Sequence, residues 1–209
     1  REKKQPKVPD VVSSMPRVSA PDLGNLKPPM SETPERLAIF AGRIHTVSGK
    51  PILGGVVLLE KGRITAVGKV GDVKIPPGTP ALSVAEITPG LIDAHSSVGL
   101  SGALNIQADQ DQDENTDPNQ ADLRVIDGFN PDEALLEFLR RQGVTVLHVV
   151  PGAVNVIAGQ TGILKTYGTT VDAMTIKFPA ALMINLGEIP KKTYPNKAPT
   201  TRMATAALL

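Results

Sequence analysis

The feature that most constrains this chain is a helix set between two apolar strands. Residues 131–143 read PDEALLEFLRRQG, and residues 144–150 read VTVLHVV. Asn130 can cap the helix, Pro131 suits its first position, Asp132 and Glu133 favour its positive end, and Gly143 stops it. Leu135, Phe138 and Leu139 predict one apolar face. The strand that follows is almost wholly apolar, as strands of parallel sheets are. An earlier apolar stretch, Ile87 to Asp93, predicts the partner strand, with a long polar insert between. Strand, helix and strand in this order make a βαβ unit, so the class is α/β.

Upstream the pattern changes. Residues 36–42 and 44–47 are short strand patterns, Gly55 to Glu60 is a strand, Lys61-Gly62 a tight turn, and Arg63 to Gly68 the returning strand. Short runs punctuated by Gly and Pro predict a small antiparallel sheet module over 35–86. Residues 70–82 read as a loop, and Ser83 to Glu86 lead into the strand at 87. Before this, residues 1–34 carry prolines at 6, 9, 16, 21, 28, 29 and 34 among charged and Ser residues, which predicts an extended arm or linker. Its Val11, Val12, Met15, Val18, Leu23 and Leu26 favour ordering against a neighbour. Downstream, 173–178 and 181–187 are strand candidates, and 203–209 starts a helix.

Composition removes several function classes. The formal net charge is +1 over 209 residues and aromatics are 3%, which gives no electrostatic or stacking case for nucleic acid. Cysteine is absent, so disulfides, Cys-ligated zinc and thiol catalysis are excluded for this chain. No apolar run has the length of a transmembrane helix. The start at Arg1 is compatible with a removed export signal, hence a periplasmic or secreted location, and equally with another kind of boundary.

The stretch Ile87-Thr88-Pro89-Gly90-Leu91-Ile92-Asp93-Ala94-His95-Ser96-Ser97 resembles the first barrel strand of the amidohydrolase superfamily, where a Pro-Gly-Leu-Ile-Asp-x-His-x-His motif carries two metal-binding histidines. Ile64 to Gly68, Gly143 to Val146, Gly152 to Gln160, Lys177 to Ala180 and Thr201 to Met203 resemble further segments of its imidazolonepropionase-like members, in order, over about 36–209. The resemblance implies the N-terminal part of a (β/α)8 barrel with a small β-sandwich module: arm 1–34, sandwich module 35–86, partial barrel 87–209 with its first three or so βα units. A barrel of this kind takes about 250 residues. The family's later ligands, a lysine, two histidines and an aspartate, correspond to no residue here.

The resemblance makes His95 the one metal-ligand candidate. The second histidine position is Ser97, and a hydroxyl does not replace an imidazole on zinc. No cofactor is therefore expected on this chain alone, with zinc expected only where the site is completed elsewhere. No catalytic or cofactor-binding residue is assigned. Ser97 lacks a Gly-x-Ser-x-Gly elbow and an identifiable base. Asp93 is expected to satisfy nearby backbone, His45 to be structural, and His148 to be a satisfied core histidine. The acidic insert 109–117 suggests calcium, but Glu114 replaces the EF-hand glycine and Gln120 its last carboxylate, so a solvated loop is expected. The Gly-rich run 152–162 has backbone suited to an anion but lacks a Walker ending. Two readings follow. One is a catalytically impaired, amidohydrolase-like structural or assembly subunit. The other is a metal-dependent hydrolase of cyclic-amide or peptide-like C–N bonds with its remaining ligands elsewhere. In either, an open parallel sheet needs a partner: the C-terminal half of the barrel or a homologous subunit.

Overall fold

The computed structural model describes residues 34–194 and 196–209. Apart from Pro34, the expected arm lies outside the described residues. The chain divides into two compact units, one ending with Lys50–Ile87 and including the strand before His45, the other formed by Thr46–Gly49 and Thr88–Leu209.

In the first unit, β1 (Arg36–Ile44), β2 (Ile52–Glu60), β3 (Arg63–Lys69) and β4 (Ala81–Ile87) form one sheet in the order β3-β2-β1-β4. β1/β2 and β2/β3 are antiparallel, whereas β4 joins β1 in parallel. The β2–β3 hairpin closes on Lys61 and Gly62, both at positive φ (50° and 74°), the conformation that matches the twist of paired strands. Ala38 sits opposite Leu58, and Leu58 opposite Ala66. Val73 and Ile75, from the loop after β3, pack onto this cluster. The loop expected over 70–82 thus covers one sheet face before the chain re-enters as β4.

The strand expected over 87–93 is divided in two. Pro89 cannot donate to a ladder, so pairing stops at Ile87 and resumes at Leu91. In the second unit, β5 (Leu91–Ser96) pairs in parallel with β6 (Val144–Val149). Between them lie the short helix α1 (Val125–Gly128) and α2 (Ala134–Arg141). This is the expected βαβ order. α2 begins later than expected, at a Glu133 cap whose side chain accepts from the Leu135 N–H, while the Asn130 side chain accepts from Asp132 N in the preceding turn. The buried face is turned from the expected one: Leu136 is 1% exposed and Leu139 packs against the core, while Phe138 faces solvent. The core holds Leu136 with Leu100, Val125, Phe129, Leu147, Val149, Leu164 and Met174.

After β6 the strands depart from a parallel series. β7 (Ile157–Gln160) forms inside the Gly-rich run, and β8 (Gly162–Lys165) begins at its last residue. β8 returns antiparallel to β6, and β9 (Thr175–Lys177) antiparallel to β8. The expected strand 173–178 opens as a helix, α3 (Val171–Met174), because the Thr170 hydroxyl caps the Ala173 N–H. Of the expected strand 181–187, β10 (Leu182–Ile184) pairs with β7 in a separate two-stranded sheet. α4 (Glu188–Thr193) and α5 (Arg202–Ala207) complete the unit. Among the described residues no helix is long and apolar enough to cross a membrane.

Candidate functional site

The end of β5 carries the residues singled out from sequence. The Asp93 carboxylate accepts from the His95 backbone N–H at 3.1 Å, the local role expected of it. The His95 side chain is exposed, and among the described residues no hydrogen-bond partner meets its imidazole. Ser96 is buried, and its hydroxyl accepts from Val98 N at 3.3 Å. Ser97 holds the following turn. Its carbonyl accepts from Leu100 N and Ser101 N, both at 2.9 Å. Its hydroxyl lies 3.0 Å from that of Ser101, which also donates to the Ser97 carbonyl at 3.2 Å. With the Ser101 proton on that carbonyl, Ser97 is the donor within the hydroxyl pair.

The turn leads into the polar insert, which is ordered by its own carboxylates. Asp109 accepts from Gln110 Nε2 at 2.9 Å and from the backbone of Ile106 and Leu104, bonds that hold its carboxyl below the usual range despite some desolvation. Glu114 accepts from Thr116 N and Asp117 from Asn119 N. Asp113 accepts from Val154 N in the Gly-rich run. A Cβ at Gly152 would lie 2.1 Å from an Asp113 carboxylate oxygen, so only glycine admits this approach. The backbone there holds an anion that the chain itself supplies.

Asn155 locks the two segments together. It is 1% exposed, and its amide nitrogen lies 2.6 Å from Glu114 O, 2.9 Å from Asp117 O and 2.7 Å from the Tyr194 hydroxyl, so two N–H groups are shared among three acceptors. Tyr194 in turn donates to Asp117 O at 3.1 Å. Burial, then the charges of Asp117, Glu114 and Asp113, push the Tyr194 hydroxyl up. Sequence reasoning missed this network. Its signal was an Asn between Val154 and Val156, because a buried amide in an apolar run requires partners.

A cleft of about 440 Å³ opens beside the insert, with Asp111, Gln112, Asp113, Arg124 and Asp127 in its wall. Arg124 forks onto Asp127 at 2.7 and 2.6 Å and holds its carboxyl below the usual range. Neither His95 nor Ser97 lines this cleft. The other histidines have structural partners. His148 places Nδ1 3.1 Å from Ala94 O, to which it donates, and Nε2 2.8 Å from the Thr161 hydroxyl. In the first unit, His45 Nε2 lies 2.9 Å from Glu86.

No protein-family model matches the chain. Over 114 residues, 53% of its length, it is 31% identical to the amidohydrolase tasK of Hapsidospora irregularis, covering 12% of that protein. The crystal structure of an amidohydrolase from Thermotoga maritima superposes with a TM-score of 0.76 at 30% identity, over 82% of this chain and 45% of that one. The chain is related to the amidohydrolases. It is an amidohydrolase-like α/β protein that spans less than half of either relative.

A zinc site draws on three or four protein donors. Among the described residues, no group of three or more His, Asp or Glu is arranged to hold a metal. The end of β5 presents one imidazole, and its neighbouring hydroxyl is engaged with Ser101. These residues do not by themselves fit a tight zinc site.

Proposed function

We propose that this chain is an amidohydrolase-like subunit or portion, catalytically impaired in its own residues and serving a structural or assembly role. The observation that carries the reading is at the end of β5. There His95 is the one candidate ligand, and Ser97, standing where the motif it resembles has a second histidine, uses its hydroxyl in a turn.

Exposed apolar strand surface supports the assembly role. β5 is an edge strand, yet Leu91 and Ile92 are 57% and 69% exposed on a strand paired in parallel, the kind normally covered on both faces. Leu182 and Ile184 of β10 are also exposed. In the first unit, Leu82, Ile39, Val57 and Val67 align across all four strands, with Leu82 and Val67 exposed. Burial of such surface contributes roughly 25 cal/mol per Å². The proposed partner is polypeptide equivalent to the C-terminal half of the barrel, or a homologous subunit.

The exposed His95 imidazole favours a second reading: a hydrolase of cyclic-amide or peptide-like C–N bonds whose other ligands lie on further polypeptide. Turnover of a panel of cyclic amides and dipeptides, with and without added zinc, separates the two. The first reading expects wild type to match His95→Ala. Turnover abolished by His95→Ala overturns it. For assembly, the purified chain is expected to self-associate or bind a hydrophobic dye. A dye-silent monomer with a cooperative melt at low concentration removes that role.

A further inference from the structure

We propose that the cleft beside the acidic insert is a binding site for an organic cation, a guanidinium group on a short apolar stem. The site lies apart from the end of β5, and the inference goes beyond the reading of that end. The wall is one-sided in charge. Asp111, Asp113, Glu114 and Asp127 line it against the single cation Arg124. That cation is already committed: it forks onto Asp127 at 2.7 and 2.6 Å, with its guanidinium carbon 6.0 Å from the centre of the Phe178 ring. Asp113 and Glu114 each accept a backbone N–H, from Val154 and Thr116, which neutralises neither charge. Among the described residues, no group donates to the Asp111 carboxylate. Carboxylates gathered in a concave wall focus a negative potential into it.

A second observation does not depend on charge. Gln112 also lines the cleft, and its side-chain oxygen is buried with no donor among the described residues. Its backbone is fixed, since its carbonyl accepts from Gly152 N at 2.7 Å. Buried acceptors are ordinarily satisfied. The last torsion of a glutamine is soft, so a donor in the cleft can draw this oxygen to itself. The ligand that fits is not a metal ion. Calcium needs about six oxygens converging on one point, and among the described residues no group of three or more His, Asp or Glu is so arranged. A guanidinium spreads its N–H donors around a plane and reaches a carboxylate and an amide oxygen together. Leu100, Leu123 and Ala158 offer apolar wall for the stem, and about 440 Å³ is the size of a small-molecule pocket.

The probe is n-butylguanidinium chloride, titrated by calorimetry, with butylurea as its neutral isostere. The cation is expected to bind saturably at one site, and butylurea at least about tenfold more weakly. Gln112→Leu is expected to weaken the cation about tenfold, the loss of a hydrogen bond to a charged group. Asp111→Asn is expected to weaken it about threefold, a loss that disappears in about 0.5 M sodium chloride because the carboxylate is exposed and screened. A blocked Ala-Arg-Ala tripeptide separates two sources of the same chemistry. Tighter binding than the free cation assigns the cleft to an arginine of a partner polypeptide, weaker binding to a small molecule, and either supports the site. The proposal is overturned by no saturable binding of either guanidinium compound, by equal binding of butylurea, by tighter binding of calcium chloride, or by wild-type affinity in both variants.

Discussion

Asn155→Ala should loosen the wall that the acidic insert forms. The two N–H groups of the amide serve three oxygens, at 2.6, 2.9 and 2.7 Å: Glu114 O, Asp117 O and the Tyr194 hydroxyl. Each bond is worth about 1 kcal/mol net, and a buried acceptor left without a donor adds a penalty of about 1–3 kcal/mol. The Glu114 carbonyl loses the amide, whereas Asp117 O keeps the Tyr194 hydroxyl at 3.1 Å, so one acceptor bears most of that penalty. Two such bonds and one penalty make the expected loss about 3–5 kcal/mol. For a chain of this size each kcal/mol lowers the melting temperature by about 2–4 °C, which places the drop at roughly 6–20 °C. Thermal melts followed by circular dichroism measure the total, and amide exchange localises it: residues 109–120 and 152–156 should exchange faster, while β1 to β3 should not. Asn155→Asp sharpens the test, because the carboxylate brings a buried charge and no donor for the Glu114 and Asp117 carbonyls, and of the three partners only the Tyr194 hydroxyl can donate to it. At neutral pH it should be less stable than the alanine variant. An aspartate variant that melts with wild type would refute the argument, as would an alanine variant with unchanged exchange in the insert.

Core and surface make different demands. Leu147 is 0% exposed on β6, and Leu147→Ala should cost about 2–5 kcal/mol by lost transfer energy and the cavity left behind; a urea-melt difference below about 1 kcal/mol would mean that the site collapses around the vacancy. Glu86 is held below its ordinary value of 4.5 chiefly by the hydrogen bond from His45, with Arg43 assisting against desolvation. Its folded value is depressed, so its contribution is present above pH 4.5 and disappears as pH falls through the lower folded value. Glu86→Gln should therefore flatten the pH dependence of the first unit's stability only below about that pH, measured as urea midpoints from pH 7 to 3; an unchanged acid limb counts against the pair.

The β2–β3 hairpin was legible because Lys61-Gly62 is a local signal: two residues between strands demand positive φ, and one of them is glycine. The helix before Gly143 was legible from its apolar period and its glycine stop, although its cap is Glu133 and not Asn130. Its buried face was legible only in part, since Leu139 packs against the core beside Leu136. Leu135, Phe138 and Leu139 match the helical period as well as Leu136 does, and only the position of β6 and of Leu100 decides which side meets the core. The roles of Asp93, His45 and His148 were foreseeable from neighbours in sequence, but the partners of His148 come from β5 and from Thr161, which pairing alone brings near.

By itself the sequence determined local conformation and the donor inventory. It placed turns at glycines, ended pairing at Pro89, excluded thiol chemistry and left one imidazole at the end of β5, because these depend on covalent structure and on residues within a few positions. Tertiary structure decided the rest. It turned residues 157–165, which cross the end of the Gly-rich run, into two strands, because β7 finds a partner in β10 and β8 in β6. It also fixed the acidic insert, whose residues 114–117 stay exposed in a loop, because Asp113 meets Val154 N and Asn155 meets Glu114 and Asp117 across about forty residues of chain. Hydrogen bonds of that separation follow from which segments are packed side by side, and no local pattern encodes that.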